Sequence, residues 1–536
     1  MIDATHEVTN QPPPHSGFDA FTTNPWLVAA ARGSGLEAEA KALGKYAGSA
    51  QAQQLAIDAN RNEPELRTHD RHGHRVDTVE YHPAYHELMA RAYGAGVHSA
   101  AWTRSSGGFT AHAVLFYLWN NVEQGTACPV TMTFAGVQVL RLAPEIARLW
   151  EPKVLANAYD PRPLPVSEKH GATLGMAMTE KQGGSDLRAV QTQAVAAAGG
   201  GYRLTGHKWF CSAPMSDAFF TLARLPEGVT CFFVPRSLPD GARNAFQIQR
   251  LKDKCGNRSN ASSEIEYRDT HAWIVGEPGR GIATLIEMAH LTRFDIVVGT
   301  AGMMRAALTE AIHHARHREA FGKKLVEHAL MGNVLADLTL ESQAAALLAF
   351  RLARAFDASA SDARERAVQR TLTPVAKYWH CKRLPVVSVE AMEVLGGNGY
   401  VEEAPLARLY REAPLNGIWE GSGNVICLDV LRSMAKSREG LDALLQDMDG
   451  AGDDRLARHA QSIRAAVGRA EEAERSARRL VEQVALGAQA VEMVRNAVPA
   501  AAEAFLASRI AGEGGRQLGT LPAATNTAAI VDAAVA

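Results

Sequence analysis

The chain is poor in cysteine. Its six (Cys128, Cys211, Cys231, Cys255, Cys381 and Cys427) are scattered through 536 residues with no CxxC pair. That argues against a zinc ribbon or a disulfide frame and fits a reducing compartment. Long apolar runs are missing too. Ile296 to Met304 is nearly continuous in apolar residues, but it falls far short of the roughly 20 needed to cross a bilayer. The opening MIDATHEVTNQPPPH lacks the basic-then-apolar order of a secretory signal, so the expectation is a cytoplasmic protein without a membrane segment. Neither sign of charge dominates: 56 Lys and Arg stand against 58 Asp and Glu, a net of −2. Bulk coating of nucleic acid is thereby set aside, while a local basic patch stays open. GxGxxG, GxxxxGK[ST] and GxSxG are all absent, which removes two phosphate loops and the nucleophile elbow.

What is present is length and helical periodicity. The chain is several times a domain of about 100–150 residues, and 46% hydrophobic against 21% charged residues excludes wholesale disorder. Residues 1–24 read as a polar, proline-rich arm. From 25 to 174 apolar residues recur at three- and four-residue spacing, as in HELMARAYGAGV and AHAVLFYLWNNV, predicting a helical domain. Between 175 and 280 the pattern shifts to β-prone runs: GYRLTGHKWFCSA, DAFFTLARL, VTCFFVP, FQIQRL and SSEIEYRD. These predict a small antiparallel sheet or barrel. Long helices return over 281–438, and 439–536 reads as a helical extension. The extension is expected to open on a Gly/Asp-rich linker (LDALLQDMDGAGDDR) and to end in a weakly structured tail from Gly512. The fold class is mainly α with a β insert, and the strand–helix alternation of a parallel sheet is missing.

Three segments carry chemistry. GMAMTEKQGGSDL (175–187) places Thr179 and Ser185 beside glycines, where small hydroxyls can bond a ligand lying against backbone. TGHKWFCS (205–212) sets aromatics next to Ser212, suited to a flat heterocycle or to a core strand. In IWEGSGN, Glu420 follows Trp419 and precedes a predicted helix. A carboxylate against aromatic surface suits a general base, and a helix-terminal acid favoured by the macrodipole explains it equally. The histidines His69, His72 and His74 read as a polar turn rather than metal ligands, and no metal site is expected. Pro83 places His82 just before a helix start.

Taken in order, with KDKCGNRS (252–259), the RxxFG unit at Arg318 and LGGNGY (395–400), these segments resemble the acyl-CoA dehydrogenase family of flavoproteins over roughly residues 80–435. The resemblance implies a helical domain, a β domain and a four-helix domain, assembled as a homotetramer with FAD at subunit contacts. It implies that Met178, Thr179, Gly184 and Ser185 line the flavin and acyl chain, and that Phe210 and Ser212 face the isoalloxazine. Arg318 and Phe321 match the pair that meets the flavin pyrophosphate and adenosine from a neighbouring subunit, and Glu393, Gly396 and Gly397 the segment that clasps the same cofactor. Trp419, Ser422 and Asn424 complete the cofactor set. Glu420 matches the catalytic base; the alternative base position, in a helix taken to begin near Leu291, holds Thr292-Arg293.

Within the family, VTNQPPP, NEPELRTHDRHGHRVDTVEYHPAYH, MTFAGVQVL and AFRLARAFD resemble a branch with an N-terminal arm and a C-terminal extension. That branch implies a response to DNA alkylation damage, binding of double-stranded DNA through the extension, and weak dehydrogenase activity on an acyl-CoA thioester of short branched-chain type. Two features depart from the pattern. A family glutamine after FGK is replaced by Ala329, so one cofactor contact is missing or rebuilt. The extension from 441 onward holds ten arginines, no lysine and thirteen acids, a net of −3. On one continuous helix, Arg464, Arg475, Arg478 and Arg479 share a sector of about 100°, diluted by Glu471 and Glu482. A phosphate-binding stripe and a solvated, salt-bridged face both fit. The alternatives are a genuine acyl-CoA dehydrogenase on an unusual thioester, with the extension used for assembly, and a helical scaffold that has lost its flavin.

Overall fold

The computed structural model describes residues 5–469 and 472–535. The chain forms two compact units: residues 51–295, and the residues up to Ala50 together with Ile296 onward.

Helices α1 (Pro25–Ala31), α2 (Glu37–Ala47) and α3 (Ala50–Arg61) come first. The α1 start is built by Asn24, whose side chain accepts from Leu27 N, and by Pro25 at the first helical position. A hairpin follows, β1 (Glu65–His69) and β2 (Arg75–Glu80), where helices alone were expected. Local periodicity did not announce it because its support is tertiary. Buried Asp77 receives Arg75, Arg243 and the Ile248 amide, tying β2 to a distant strand. Helix α4 (Pro83–Gly94) begins as Pro83 implied, with His82 as its N-cap. Then come α5 (Ala100–Thr103), α6 (Gly108–Val122), α7 (Ala127–Leu140) and α8 (Pro144–Val154). Almost every residue of α6 and α7 is buried, so these helices are apolar all round rather than striped.

The five strand-like runs all form strands. The sheet comprises β3 (Leu174–Ala177), β4 (Gln193–Ala196), β5 (Tyr202–Ser212), β6 (Ala218–Leu225), β7 (Gly228–Pro235), β8 (Phe246–Leu251) and β9 (Ser262–Val275). Pairing runs β6–β7–β9–β5–β4, and Gln193 opposite Arg224 returns it to β6, closing a small barrel. Most pairs are antiparallel, and β3 lies parallel to β6. Phe219, Phe232, Phe246 and Tyr267 fill the interior.

Helix α9 (Gly281–His317) starts ten residues before Leu291, so Thr292-Arg293 sits inside it and not at its head. It ends in a miniature hairpin, β10 (Glu319–Ala320) and β11 (Lys323–Lys324), whose two turn residues Phe321 and Gly322 both have positive φ, +52° and +81°. That is the pattern of a type I′ turn. Helices α10 (Ala329–Ala358), α11 (Ala363–Leu395), α12 (Pro405–Glu412) and α13 (Gly423–Lys436) complete the expected helical core of this unit.

The extension departs from its expected form. Its supposed linker is mostly helix α14 (Glu439–Asp449), which buries Leu441, Leu444, Leu445 and Met448. Helices α15 (Asp454–Val467), α16 (Ala473–Asn496) and α17 (Pro499–Phe505) follow, with α16 packed on α10, α11 and α13. The tail carries α18 (Thr527–Asp532), docked on α10, and Ala534 O accepts from Arg305. Apolar burial and these polar ties override the glycine-rich composition that suggested loose chain.

Candidate active site

In the unit spanning 51–295, β3 delivers the 178–185 loop beside β5. Thr179 O accepts from Trp209 N at 2.7 Å, so the loop is stitched to the strand carrying Phe210. Below it lies a fully buried ion pair, Lys208 Nζ to Glu180 Oε1 at 2.7 Å. Burial alone would raise the Glu180 carboxyl. Lys208, with hydrogen bonds from Thr192 and the Gln191 amide, outweighs burial and holds it down at about 2. Glu180 and Gly183 bridge each other across a tight turn, and Gly184 then packs on Thr179, where a Cβ would meet Oγ1 at 2.4 Å. Met178, Thr179 and Gly184 are half-buried and Ser185 is exposed. On β5, Phe210 is 50% exposed and Ser212 half-buried. Lys252 Nζ sits 3.1 Å from the Trp209 ring centroid and 4.9 Å from that of Phe210.

In the other unit, Glu420 lies in the turn before α13. It has φ +55°, a conformation that L-residues rarely adopt, and Gly421 follows at +102°. Lys377 of α11, 1% exposed, reaches both flanking peptides: Nζ donates to Trp419 O at 2.9 Å and to Gly421 O at 2.6 Å. Trp419 Nε1 is buried and finds no partner among the described residues. Ser422 caps α13 without a side-chain bond to its amides, which leaves backbone donors at the helix head. Lys377 was missed in the sequence, although it falls on the buried stripe Thr373–Lys377–Cys381–Leu384 of α11. A lysine on an apolar helical face was the available signal.

Arg318 and Phe321 sit at the α9–β10 corner, and Phe321 is 98% exposed on its turn. Glu393 is exposed on the last turn of α11, and its carbonyl accepts from Gly396 N. Gly396, at φ +60°, and Gly397 have no atom within 4 Å of a built Cβ, so a ligand can approach their backbone. These features suit a flavin dinucleotide. Within the unit that holds residues 296 onward, Arg318 offers charge for a pyrophosphate, the bare glycine turn offers close approach, and Trp419 offers an unused donor; within the 51–295 unit, Phe210 offers a half-exposed ring. Ala329, where the family glutamine is missing, is exposed next to His328, whose ring nitrogen lies 3.0 Å from Ala320 O.

The four arginines do not form one stripe, because α15 and α16 are separate helices. Arg464 lies on α15, paired with Asp449 at 2.5 Å. Arg475, Arg478 and Arg479 lie on α16, all exposed. Arg478 turns to the α13 head, its Nε donating to Asn424 Oδ1 at 2.8 Å. Glu471 lies outside the described residues.

Residues 10–161 match the N-terminal domain of adaptive response protein AidB. Residues 175–270 match the acyl-CoA dehydrogenase middle domain and 279–435 its C-terminal domain. AidB of Escherichia coli (strain K12) is 43% identical over 527 residues, 96% of each chain. The chain belongs to the acyl-CoA dehydrogenase family. Among solved structures similar to this acyl-CoA dehydrogenase relative, Caenorhabditis elegans ACDH-11 in complex with C11-CoA has a TM-score of 0.83 at 25% identity, covering 94% of this chain and 93% of that one. The apo form of Bd2924 has a TM-score of 0.82 at 27% identity, covering 91% and 99%. As a family member the protein is an FAD-dependent oxidoreductase, and FAD is its cofactor. Among the described residues no helix is long and apolar enough to cross a membrane.

Proposed function

We propose that this flavoprotein desaturates an acyl-CoA thioester between its α and β carbons, with Glu420 as the base that takes the α proton. The clamp around Glu420 carries the reading: two carbonyls held by one buried ammonium fix a carboxylate in a rarely populated backbone conformation. A base whose backbone is fixed meets the proton in a set geometry, which is where much of a positioning effect arises. FAD, when bound, supplies the oxidising chemistry by accepting the hydride from the β carbon. Met178, Thr179, Gly184 and Ser185 border the acyl chain in this reading, and Phe210 and Ser212 the ring system. Arg318, Phe321, Glu393, Gly396, Gly397, Trp419, Ser422 and Asn424 hold the rest of the cofactor. The substrate class is a short branched acyl chain, turned over slowly. Anaerobic mixing of the yellow protein with a panel of acyl-CoA thioesters tests this. Bleaching by a branched thioester, abolished in Glu420→Gln with FAD retained, supports it; no bleaching across the panel, or unchanged bleaching in the variant, overturns it.

We further infer that the protein acts in the response to DNA alkylation and binds double-stranded DNA through residues 439–536. The similarity to AidB along the whole chain supports this. So do Arg475 and Arg479, which are exposed on α16 and have no ion pair among the described residues. A homotetramer belongs to the same reading, since Phe321, Leu330 and Tyr400 are 98%, 83% and 79% exposed and call for cover. Fluorescence anisotropy with duplex DNA across a salt series, alongside light scattering for mass, tests both. Phosphate contacts produce a steep loss of affinity with salt; flat or absent binding removes the DNA reading and leaves the dehydrogenase alone.

A further inference from the structure

The N-terminal arm is bonded at one end of the proposed dinucleotide site. Asn10 has φ +54°, a left-handed conformation that asparagine tolerates better than most residues. In that conformation its carboxamide pairs with both main-chain groups of a single residue, Glu319. Asn10 Nδ2 donates to Glu319 O at 2.8 Å, and Glu319 N donates to Asn10 Oδ1 at 2.8 Å. The side chain thus does for β10 what a neighbouring strand would do. The main chain of the same residue takes a third bond, with Arg318 Nη1 donating to Asn10 O at 2.5 Å. The next residue reaches the other matched segment: Asn398 Nδ2 lies 3.5 Å from Gln11 Oε1, inside the Gly396–Gly399 turn. Farther along, a His313 ring nitrogen lies 2.8 Å from Pro13 O, and His15 pairs with Glu310 at 3.0 Å. The arm therefore follows the last turns of α9 and touches both the segment matched to the FAD pyrophosphate and adenosine and the segment matched as clasping the same cofactor.

We propose that the arm is a working part of the dinucleotide site, with Asn10 as the positioning residue that orients the Arg318 guanidinium and braces the Glu319–Lys324 hairpin. A guanidinium has five N–H donors in a rigid fork. One is fixed by Asn10 O, which sets the plane of the others toward a phosphate while leaving them free. Asn10 is chosen by two demands at once, a left-handed backbone and an amide with both a donor and an acceptor. Glycine meets only the first, and aspartate only the first and half of the second. The proposal rests on the assignment of Arg318 to the cofactor, so the test separates the two.

FAD affinity of full-length apoprotein is measured by flavin fluorescence for wild type, Asn10→Gly, Asn10→Asp and Arg318→Gln, with melting of each apoprotein in parallel. Asn10→Gly keeps the backbone conformation and deletes the amide pair. It is expected to raise the FAD Kd about five- to tenfold with the apoprotein Tm little changed; Asn10→Asp falls between. Arg318→Gln raises the Kd more, and combining it with Asn10→Gly adds little further, because both act through one guanidinium. An unchanged or tighter FAD Kd in Asn10→Gly, when Arg318→Gln weakens binding, overturns the proposal; tighter binding marks the arm as a competitor for Arg318. Additive effects in the double variant overturn it as well. No effect of Arg318→Gln removes the assignment of Arg318 itself.

Discussion

The Lys377 ammonium donates to the carbonyl oxygen of Gly421 at 2.6 Å, and through a second bond to Trp419 O it brackets Glu420 from both sides. The clamp joins a buried helical lysine to a turn more than forty residues on, so the base is held by α11 and not only by its own loop.

Replacing that lysine separates position from chemistry. Lys377→Met leaves two carbonyls without their donor, at a cost of about 2 kcal/mol in stability. It also frees Glu420 to leave its φ of +55°. Flavin reduction by a bleaching thioester is expected to slow roughly 10- to 100-fold, while the thioester affinity changes little. Stopped-flow reduction across substrate concentrations reads the two separately. A wild-type rate in a folded variant would show that the turn holds itself.

The extension is anchored by charge as well as by apolar packing. Arg509 and Arg383 converge on Glu341 of α10, and Arg509 also bonds Asp337. Burial alone would raise the Glu341 carboxyl, but the two guanidiniums pull it down to about 2. The folded value thus lies below the unfolded one of about 4.5. The stabilisation, about 3 kcal/mol, is in place above pH 4.5 and disappears as pH falls toward 2. Arg509→Leu leaves Glu341 with Arg383 as its one guanidinium partner among the described residues and takes the guanidinium from buried Asp337, and is expected to cost about 3 kcal/mol at pH 7. Below pH 4.5 the gap to wild type should narrow as Glu341 takes a proton in the variant. Denaturant melts at pH 7, 5 and 3.5 measure this; a gap that widens on acidification contradicts it.

Contiguous chemistry was legible and packing was not. The five strands stood out because apolar and aromatic runs between glycines and prolines have few other uses. The turns at Thr179, Gly396 and Glu420 were visible because each sits in one short segment. In α14 the signal was present and outvoted: Leu441, Leu444, Leu445 and Met448 follow helical spacing, yet the glycines and aspartates around them suggested a linker. The β1–β2 hairpin depends on Asp77 meeting residues of a strand far along the chain. The Glu180–Lys208, Lys377–Gly421 and Arg478–Asn424 bonds join residues 28, 44 and 54 apart. No periodicity in a single segment encodes such meetings.

The arginines of the extension should divide by partner. Arg475 and Arg479 are exposed on α16, whereas Arg478 is spent on Asn424 and Arg464 on Asp449. If DNA is bound here, Arg475→Ala with Arg479→Ala lowers the salt slope by roughly 2, about 0.9 for each phosphate no longer neutralised, and leaves FAD affinity alone. Arg464→Ala has little effect on DNA. Arg478→Ala acts instead on the α13 head, weakening FAD retention more than DNA binding. Anisotropy and flavin fluorescence on the same preparations separate the groups. Equal loss of DNA affinity in all four single variants would overturn this division by partner.

Gly184 offers the sharpest steric test of the flavin-side loop. Its backbone φ is unremarkable, so alanine meets no intrinsic strain there, and any effect must come from what the new Cβ touches. It would lie 2.4 Å from Thr179 Oγ1, 3.0 Å from Cγ2 and 3.1 Å from Cβ, so the threonine as a whole has to move. Thr179 has little room to do so, because its carbonyl is bonded to Trp209 N and the next residue, Glu180, is locked to Lys208. Gly184→Ala is therefore expected to cost about 1–3 kcal/mol through overpacking. On the assignment of this loop to the flavin, it should also displace the Thr179 hydroxyl, shifting the visible spectrum of bound flavin and slowing reduction by thioester. Thr179→Ser combined with Gly184→Ala removes the methyl half of the clash, so the melting temperature should recover in part. A wild-type spectrum and rate in Gly184→Ala would mean that the loop does not border the flavin, and Thr179 and Ser185 would leave the site.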